Sequence, residues 1–350
     1  QLYQYTKDNF PGIYERIKEK VQEGRWEPTG AMWVEADCNV SSGEALVRQL
    51  LYGIRFFQRE FGKRSKILWL PDAFGYNAAL PQLLNQAGIE SFMTTKISWN
   101  QFNRFPYDTF KWRGIDGSEI LTHFVTTPIL SEELPFYTYN GEVEPGTIKG
   151  VWDQYRQKDL SDLLLISYGY GDGGGGPTRQ MLEVGRRLAD LAGMPKFKTG
   201  KAEDYFAQLH EKLEGKQLPV WDDELYLELH RGTLTSQAAT KRSNRKSELL
   251  LRDVEFLSSL AKLAGETYPQ EEIAENWQLV LLNQFHDILP GSSITEVYED
   301  SQKQFSQLKS WGERAVASAL ERIASQIKRT EPSLVVYNTL GWQRKDLIAL

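Results

Sequence analysis

Over about the first 215 residues, short apolar runs alternate with amphipathic stretches, and this alternation constrains the fold more than any other feature of the chain. "GAMWVEA" is followed by the amphipathic stretch 43 to 61 and "KILWL" by 79 to 87; then come "SFMTT", "DTFKW" with "EILTHF", and "DLLLIS" followed by 178 to 192. Strand-like runs separated by helix-period stretches imply β/α alternation. A run as continuous as "LLLIS" has no polar face to offer solvent, so a parallel sheet covered by helices is expected, in an α/β layer fold or a barrel. From about residue 233 the period lengthens. "SELLLRDVEFLSSLAKLAG", "QEEIAENWQLVLLNQFHDIL" and "SITEVYEDSQKQFSQLKSWGERAVASALERIASQI" are long 3.6-period segments broken by Gly and Pro, as in a bundle of three antiparallel helices. After Pro332, "SLVVYNTLGWQRKDLIAL" has two β-like runs around a Gly turn, the expected start of an all-β unit. The expected division is 1–225 α/β, 226–330 helical and 331–350 β.

Composition excludes some functions. With 350 residues, 41% of them apolar, the chain can bury a large core. Its 41 Lys and Arg against 47 Asp and Glu leave a net charge of -6, which gives no reason to expect nucleic acid or an anionic membrane as partner. No apolar stretch approaches the roughly 20 residues that span a bilayer. The single cysteine, Cys38, cannot form an internal disulfide, which points to a reducing compartment and a cytoplasmic location. Asn39-Val40-Ser41 matches a glycosylation acceptor, a triplet common by chance. The chain starts with Gln and ends inside an apolar-alternating run, so it reads as a piece of something longer; nothing in it decides between a monomer and a homo-oligomer.

Three acids follow predicted strands: Asp37 after "MWVEA", Asp72 after "ILWLP" and Asp172 after "LLLISYGYG". In parallel α/β architectures that rim is where ligands bind. An Asp in this position is also a common turn former or helix cap, and Asp37, close to Ser41 and Ser42, fits that description. Asp72 stands in "WLPDAFGY", where Pro71 stiffens the approach and Gly75 allows a tight turn, so its carboxylate is held in place. Trp69, Phe74 and Tyr76 surround it with ring surface, either ordinary core or a platform for the apolar face of a sugar.

"YGYGDGGGGPT" satisfies a dinucleotide fingerprint through Gly169, Gly171 and Gly174, which makes a nucleotide-binding protein using the 169–176 loop the alternative function. Asp172 argues against it, since it would repel a pyrophosphate, and no Lys-Ser/Thr pair follows. In "LLNQFHDILPGSSI", His286 and Asp287 end a helical run, as a dipole-favoured His or as metal donors. His230 and Arg231, in "YLELHRGTLTSQ", mark the junction of the two regions, as a cleft wall or a surface turn.

Taken in order, "YERIKEKVQEGRWEPTGAMWVEADCNVSSGEALVRQ", "WLPDAFGYNAALPQLL", "TTKISWNQFNRFPYDTFKWRGIDGSEILTHF", "GYGDGGGGPT", "ELHRGTLTSQA", "NQFHDILPGSSI" and "VVYNTLGW" resemble glycoside hydrolase family 38, the retaining α-mannosidases, in the branch of bacterial and cytosolic or vacuolar enzymes. The resemblance implies a seven-stranded catalytic β/α barrel, a three-helix bundle and a C-terminal β region. It implies exo-acting removal of terminal α-linked mannose from oligosaccharides. Asp72 matches the nucleophile that also ligates Zn2+, Asp172 the general acid/base, His286 a zinc ligand and Asp287 a sugar contact. Lys96 falls where the family has a basic residue beside the nucleophile, and Trp69 and Tyr76 complete the expected substrate surface. Retention requires two carboxyl groups about 5 to 5.5 Å apart. The other two zinc ligands belong to a His-x-Asp pair on the first barrel strand, and none of the four histidines here has Asp two residues later. That pair and strand are expected upstream of residue 1, and most of the C-terminal β region after residue 350. The barrel is therefore expected to be incomplete, and this stretch alone inactive or metal-poor. Leu234 stands where relatives often have an aromatic residue. A non-catalytic carbohydrate-binding fragment is the third reading.

Overall fold

The computed structural model describes residues 1–130, 136–328 and 330–347. Two N-terminal helices, α1 (Leu2–Asn9) and α2 (Pro11–Gln22), lead to α3 (Gly43–Phe61), whose first turn is capped by the Ser42 hydroxyl accepting from the Ala45 N–H at 3.2 Å. Strand β1 (Ile67–Trp69), helix α4 (Leu80–Gln86) and strand β2 (Ser91–Thr94) follow as β/α alternation requires. Next come β3 (Thr109–Arg113), β4 (Glu119–Phe124), α5 (Pro145–Gln154), α6 (Arg179–Arg187), α7 (Ala202–Leu213) and β5 (Val220–Trp221). The helices α8 (Ala238–Leu263), α9 (Gln270–Asn283) and α10 (Thr295–Ala324) complete the α-helices and strands of the described residues.

The sheet runs β1-β2-β4-β3-β5, and β1 bridges in parallel to Gly30 in the "GAMWVEA" run. β1, β2 and β4 are parallel, but β3 and β4 form an antiparallel hairpin. The turn explains the departure from an all-parallel sheet. Gly114 to Ser118 closes it, with the Gly114 N–H on Ser118 O at 2.8 Å and the Asp116 carboxylate capping the Ser118 N–H at 3.0 Å, and so short a link can only reverse the chain.

Two expected strands take other forms. Residues 163–167 are extended without a ladder; their continuation pairs once, at the parallel bridge Gly141 to Tyr168. Residues 331–347, the expected start of an all-β unit, contain no strand, because a β-prone run becomes one only beside a partner and none of the described residues supplies it.

The largest core cluster continues from the sheet (Leu68, Phe92, Phe110, Trp112) through α3 (Leu46, Leu50, Phe57) into the helices (Leu251, Trp277, Leu281, Phe305), so the helical part packs on the α/β part. Their junction also contains buried polar groups that satisfy one another. Gln49 accepts from the Val34 N–H at 3.1 Å and donates to Leu281 O at 2.9 Å, while Gln284 donates to Asn244 and Glu248. At Gly53 in α3 the contact is backbone to backbone: a Cβ there would lie 2.2 Å from Ala31 O and 2.4 Å from Met32 C. We expect Gly53→Ala to cost about 3 kcal/mol or more of stability, read as a lowered Tm; an unchanged Tm would contradict this packing.

Candidate active site

Past β1 the ladder persists for one residue, with the Leu70 N–H on Met93 O at 3.1 Å, and the Pro71 carbonyl accepts from the Thr95 hydroxyl at 3.0 Å. The chain then turns at Gly75, whose φ of 104° few side chains tolerate and where an added Cβ would sit 3.0 Å from the Asn39 amide nitrogen. Asp72 is thereby pinned from both sides. Its Oδ1 accepts from the Lys96 ammonium, its Oδ2 accepts from the Tyr139 hydroxyl at 2.7 Å, and His286 Nε2 stands 3.6 Å from Oδ2. Burial alone would raise this carboxyl, but His286, Lys96 and Tyr139 together outweigh it and hold Asp72 at about 2, so it is ionised.

His286 reaches the site because the chain leaving α9 is stitched to residues 35–37. The Asp37 N–H donates to Gln284 O at 2.8 Å, the His286 N–H donates to Glu35 O at 3.0 Å, and Ala36 bridges Phe285. The ring donates Nδ1–H to the same Glu35 carbonyl at 3.2 Å, which leaves Nε2 facing Asp72 and, at 3.5 Å, Asp287 Oδ2. Burial pulls the imidazole down, yet the hydrogen bond to Asp72 and the charges of Glu35, Asp287 and Asp72 lift it to about 9. Asp287 is oriented by Ser292, whose hydroxyl donates to its Oδ1 at 2.7 Å.

Asp172 arrives on the glycine loop, which closes on itself through Gly175 N–H to Tyr170 O at 2.8 Å and Gly174 N–H to Gly171 O at 3.1 Å. The Asp172 N–H donates to the Asn140 side chain at 3.0 Å, beside Tyr139. Burial raises the Tyr139 phenol, and the carboxylates of Asp72 and Asp172 both raise it further, so one hydroxyl feels both acids. Lys96 lies 5.3 Å from the Phe74 ring centre and 5.1 Å from that of Trp99, a cation flanked by π faces.

Asp72, Lys96, Asp172, His286 and Asp287 thus converge from four separated stretches of sequence. Two further members, Glu35 and Tyr139, have no motif of their own; Glu35 sits in an apolar strand-like run, where a lone carboxylate was the only available signal. Tyr76 belongs elsewhere. It is fully buried, with its hydroxyl bonded to Leu70 O at 2.8 Å and Thr94 Oγ1 at 2.7 Å, so it is core and offers no surface to a sugar. Trp69 is half-buried and packs on the core beneath α7. Asp37 is a turn former whose Oδ1 accepts from the N–H groups of Asn39 and Val40. His230 stands at the edge of the site, its ring 4.9 Å from that of Phe74, while Arg231 is exposed and donates to Glu228 O at 2.8 Å. His123 and His210 lie away from it, bonded to Thr109 and Ser91. The glycine loop gives the nucleotide alternative no support, because Thr178 caps α6, accepting from the Met181 N–H at 3.1 Å, and Asp172 occupies the loop.

Among the described residues no group of three or more His, Cys, Asp or Glu has the arrangement to hold a metal ion. Two donors do fit one. On a tetrahedral zinc with bonds of about 2.0 to 2.2 Å, neighbouring donors lie roughly 3.4 Å apart. Asp72 Oδ2 and His286 Nε2 are 3.6 Å apart, and because Nδ1–H is held by Glu35 O, Nε2 is the nitrogen that would exchange its proton for a metal. These two residues would supply half of a four-coordinate shell.

Residues 1–224 match the family described as the glycosyl hydrolases family 38 N-terminal domain, and residues 228–323 match the alpha mannosidase middle domain. The chain is 48% identical over 308 residues to Alpha-mannosidase G of Dictyostelium discoideum, covering 88% of this chain and 27% of that protein. It is 41% identical over 352 residues to human Alpha-mannosidase 2C1, covering 100% of this chain and 33% of that protein. It spans about a third of these relatives' length. The crystal structure of an alpha-mannosidase from Enterococcus faecalis V583 shares the fold, with a TM-score of 0.74 at 21% identity, covering 93% of this chain and 37% of that one. With the N-terminal domain model matched over residues 1–224 and the middle domain following it in order, the chain belongs to glycosyl hydrolase family 38.

Proposed function

We propose that the protein of which these residues form part is a retaining, exo-acting α-mannosidase that removes terminal α-linked mannose from oligosaccharides. The observation that carries this reading is that Tyr139 donates its hydroxyl to Asp72 Oδ2 at 2.7 Å while the Asp172 carboxylate also raises the same phenol, and the Asp172 N–H is held at 3.0 Å by the neighbouring Asn140. Two carboxylates acting on one hydroxyl are close neighbours, as the spacing of about 5 to 5.5 Å in a double displacement requires.

In this reading Asp72, held ionised by Lys96, His286 and Tyr139, attacks the anomeric carbon as Asp172 gives its proton to the departing glycosidic oxygen. The aglycone leaves and mannose is esterified to Asp72. Asp172, now a carboxylate, takes a proton from water as that water attacks the same carbon, and Asp72 departs as carboxylate. Its exposed loop position allows the solvent exchange that this second role needs. Asp287, Lys96 and the free part of Trp69 border the sugar. Asp72 and His286 would hold zinc, which when bound gathers sugar hydroxyls and fixes the orientation of the ring. The buried, unpaired Cys38 supports a cytoplasmic location within the same reading.

The test is hydrolysis of an aryl α-mannoside by the complete protein, with the first-formed mannose identified by NMR and zinc measured by elemental analysis. Release of the α-anomer with bound zinc supports the proposal. First-formed β-mannose would overturn retention, and absence of both hydrolysis and zinc would leave a non-catalytic carbohydrate-binding protein. Tyr139→Phe removes one hydrogen bond to a charged carboxylate, worth about 1.5 to 3 kcal/mol, so kcat should fall roughly 10- to 100-fold with the fold intact. A kcat within twofold of wild type would remove Tyr139 from the mechanism.

A further inference from the structure

We infer that Glu35 is a positioning residue that clamps Asp72 and His286 to each other; the inference rests on the reading of those two as the metal-binding half-site. One residue grips both. Its carboxylate Oε1 accepts the Asp72 N–H at 2.5 Å. Its main-chain carbonyl accepts both the His286 N–H at 3.0 Å and the His286 Nδ1–H at 3.2 Å. The two partners are 214 residues apart, 286 less 72, and they reach the site from different parts of the fold, one past the end of β1 and one past the end of α9. Among the described residues no other bonds to the backbone of both.

Each half of the grip fixes a coordinate that ligation requires. The bond to the Asp72 N–H sets the direction in which the Asp72 side chain leaves the chain. The bond from Nδ1–H fixes the swing of the ring, so Nε2, the position a metal would take in place of a proton, faces Asp72 Oδ2 at 3.6 Å. The second carboxylate oxygen, Oε2, stands 3.8 Å from Nδ1 and adds negative charge beside the pair. A glutamine could accept the same N–H, so what a glutamate adds is charge; placed among Asp72 and Asp287 that charge is unfavourable unless a cation is close. Two functions are therefore combined in Glu35: holding geometry, through its oxygen acceptors, and favouring a cation, through its charge.

These two functions separate in the complete protein when Glu35→Ala and Glu35→Gln are compared with wild type by competitive zinc chelation and by steady-state kinetics. Glu35→Ala loses both and should bind zinc about 10- to 100-fold more weakly, with a comparable loss in kcat and a smaller change in KM. Glu35→Gln should regain most of kcat while remaining weaker in zinc affinity than wild type. It also decides the matter if Glu35→Ala fails to fold, since wild-type zinc affinity in the Gln variant would overturn the role of charge. Wild-type zinc affinity and kcat in Glu35→Ala, with only a lowered Tm, would overturn the clamp and leave Glu35 a structural residue. A wild-type protein containing no zinc would overturn the metal reading separately; the clamp is then decided by kcat alone, and an undiminished kcat in Glu35→Ala would end it.

Discussion

Asp72→Ala in the complete protein should lower kcat on an aryl α-mannoside by at least about 10⁴-fold, because it removes the atom that forms the covalent intermediate, and nothing else in the site can replace it. Lys96 cannot attack as an ammonium, and His286 is held by the Glu35 carbonyl with its free nitrogen facing Asp72 itself. The substitution also removes one of the two proposed zinc donors, so zinc content should fall together with turnover. It leaves the Lys96 ammonium, only 13% exposed, without its carboxylate, and circular dichroism is needed to show that the lost turnover is not lost structure. The more conservative Asp72→Asn retains the volume and should be equally inactive. Turnover near wild type in a folded Asp72→Ala protein would sink the assignment of the nucleophile and the double displacement with it.

Asp172→Ala should lower kcat by about 10² to 10⁴-fold on substrates whose leaving group needs a proton, the range that a general acid contributes. The loss should shrink as the leaving group becomes more acidic, since a nitrophenolate departs unaided while a sugar alkoxide does not. Plotting kcat/KM against leaving-group pKa for wild type and variant tests this directly, and equal slopes would remove Asp172 from the role of acid. The loop that carries it is closed by its own backbone hydrogen bonds and Asp172 is exposed, so the side chain can be removed with little effect on stability.

The stretches around Asp72 and Asp172 were legible for a physical reason. "WLPDAFGY" and "GYGDGGGG" carry Pro and Gly where the backbone must turn sharply, and such turn chemistry is local. Helices α3 and α8 to α10 were legible as well, because a 3.6 period sustained over many residues has few competing readings. Tyr76 misled because an aromatic side chain near an acid looks the same in sequence whether it faces a ligand or Leu70 and Thr94. Glu35 and Tyr139 could not be picked out, since neither occupies a position that a turn, cap or repeat demands.

By itself the sequence determined the order of the elements, the change from α/β to helical at about residue 233, and the local rigidity around Asp72. Each of these depends on neighbours within a few positions of one another, which periodicity and turn residues record. Only the tertiary structure decided that the exit of α9 pairs with residues 35–37, that Tyr139 joins two acids exactly one hundred positions apart, and that residues 163–167 and 331–347 lack ladders. Such pairings satisfy backbone and side-chain polar groups across long stretches of chain, and a local pattern contains no term for a partner that distant.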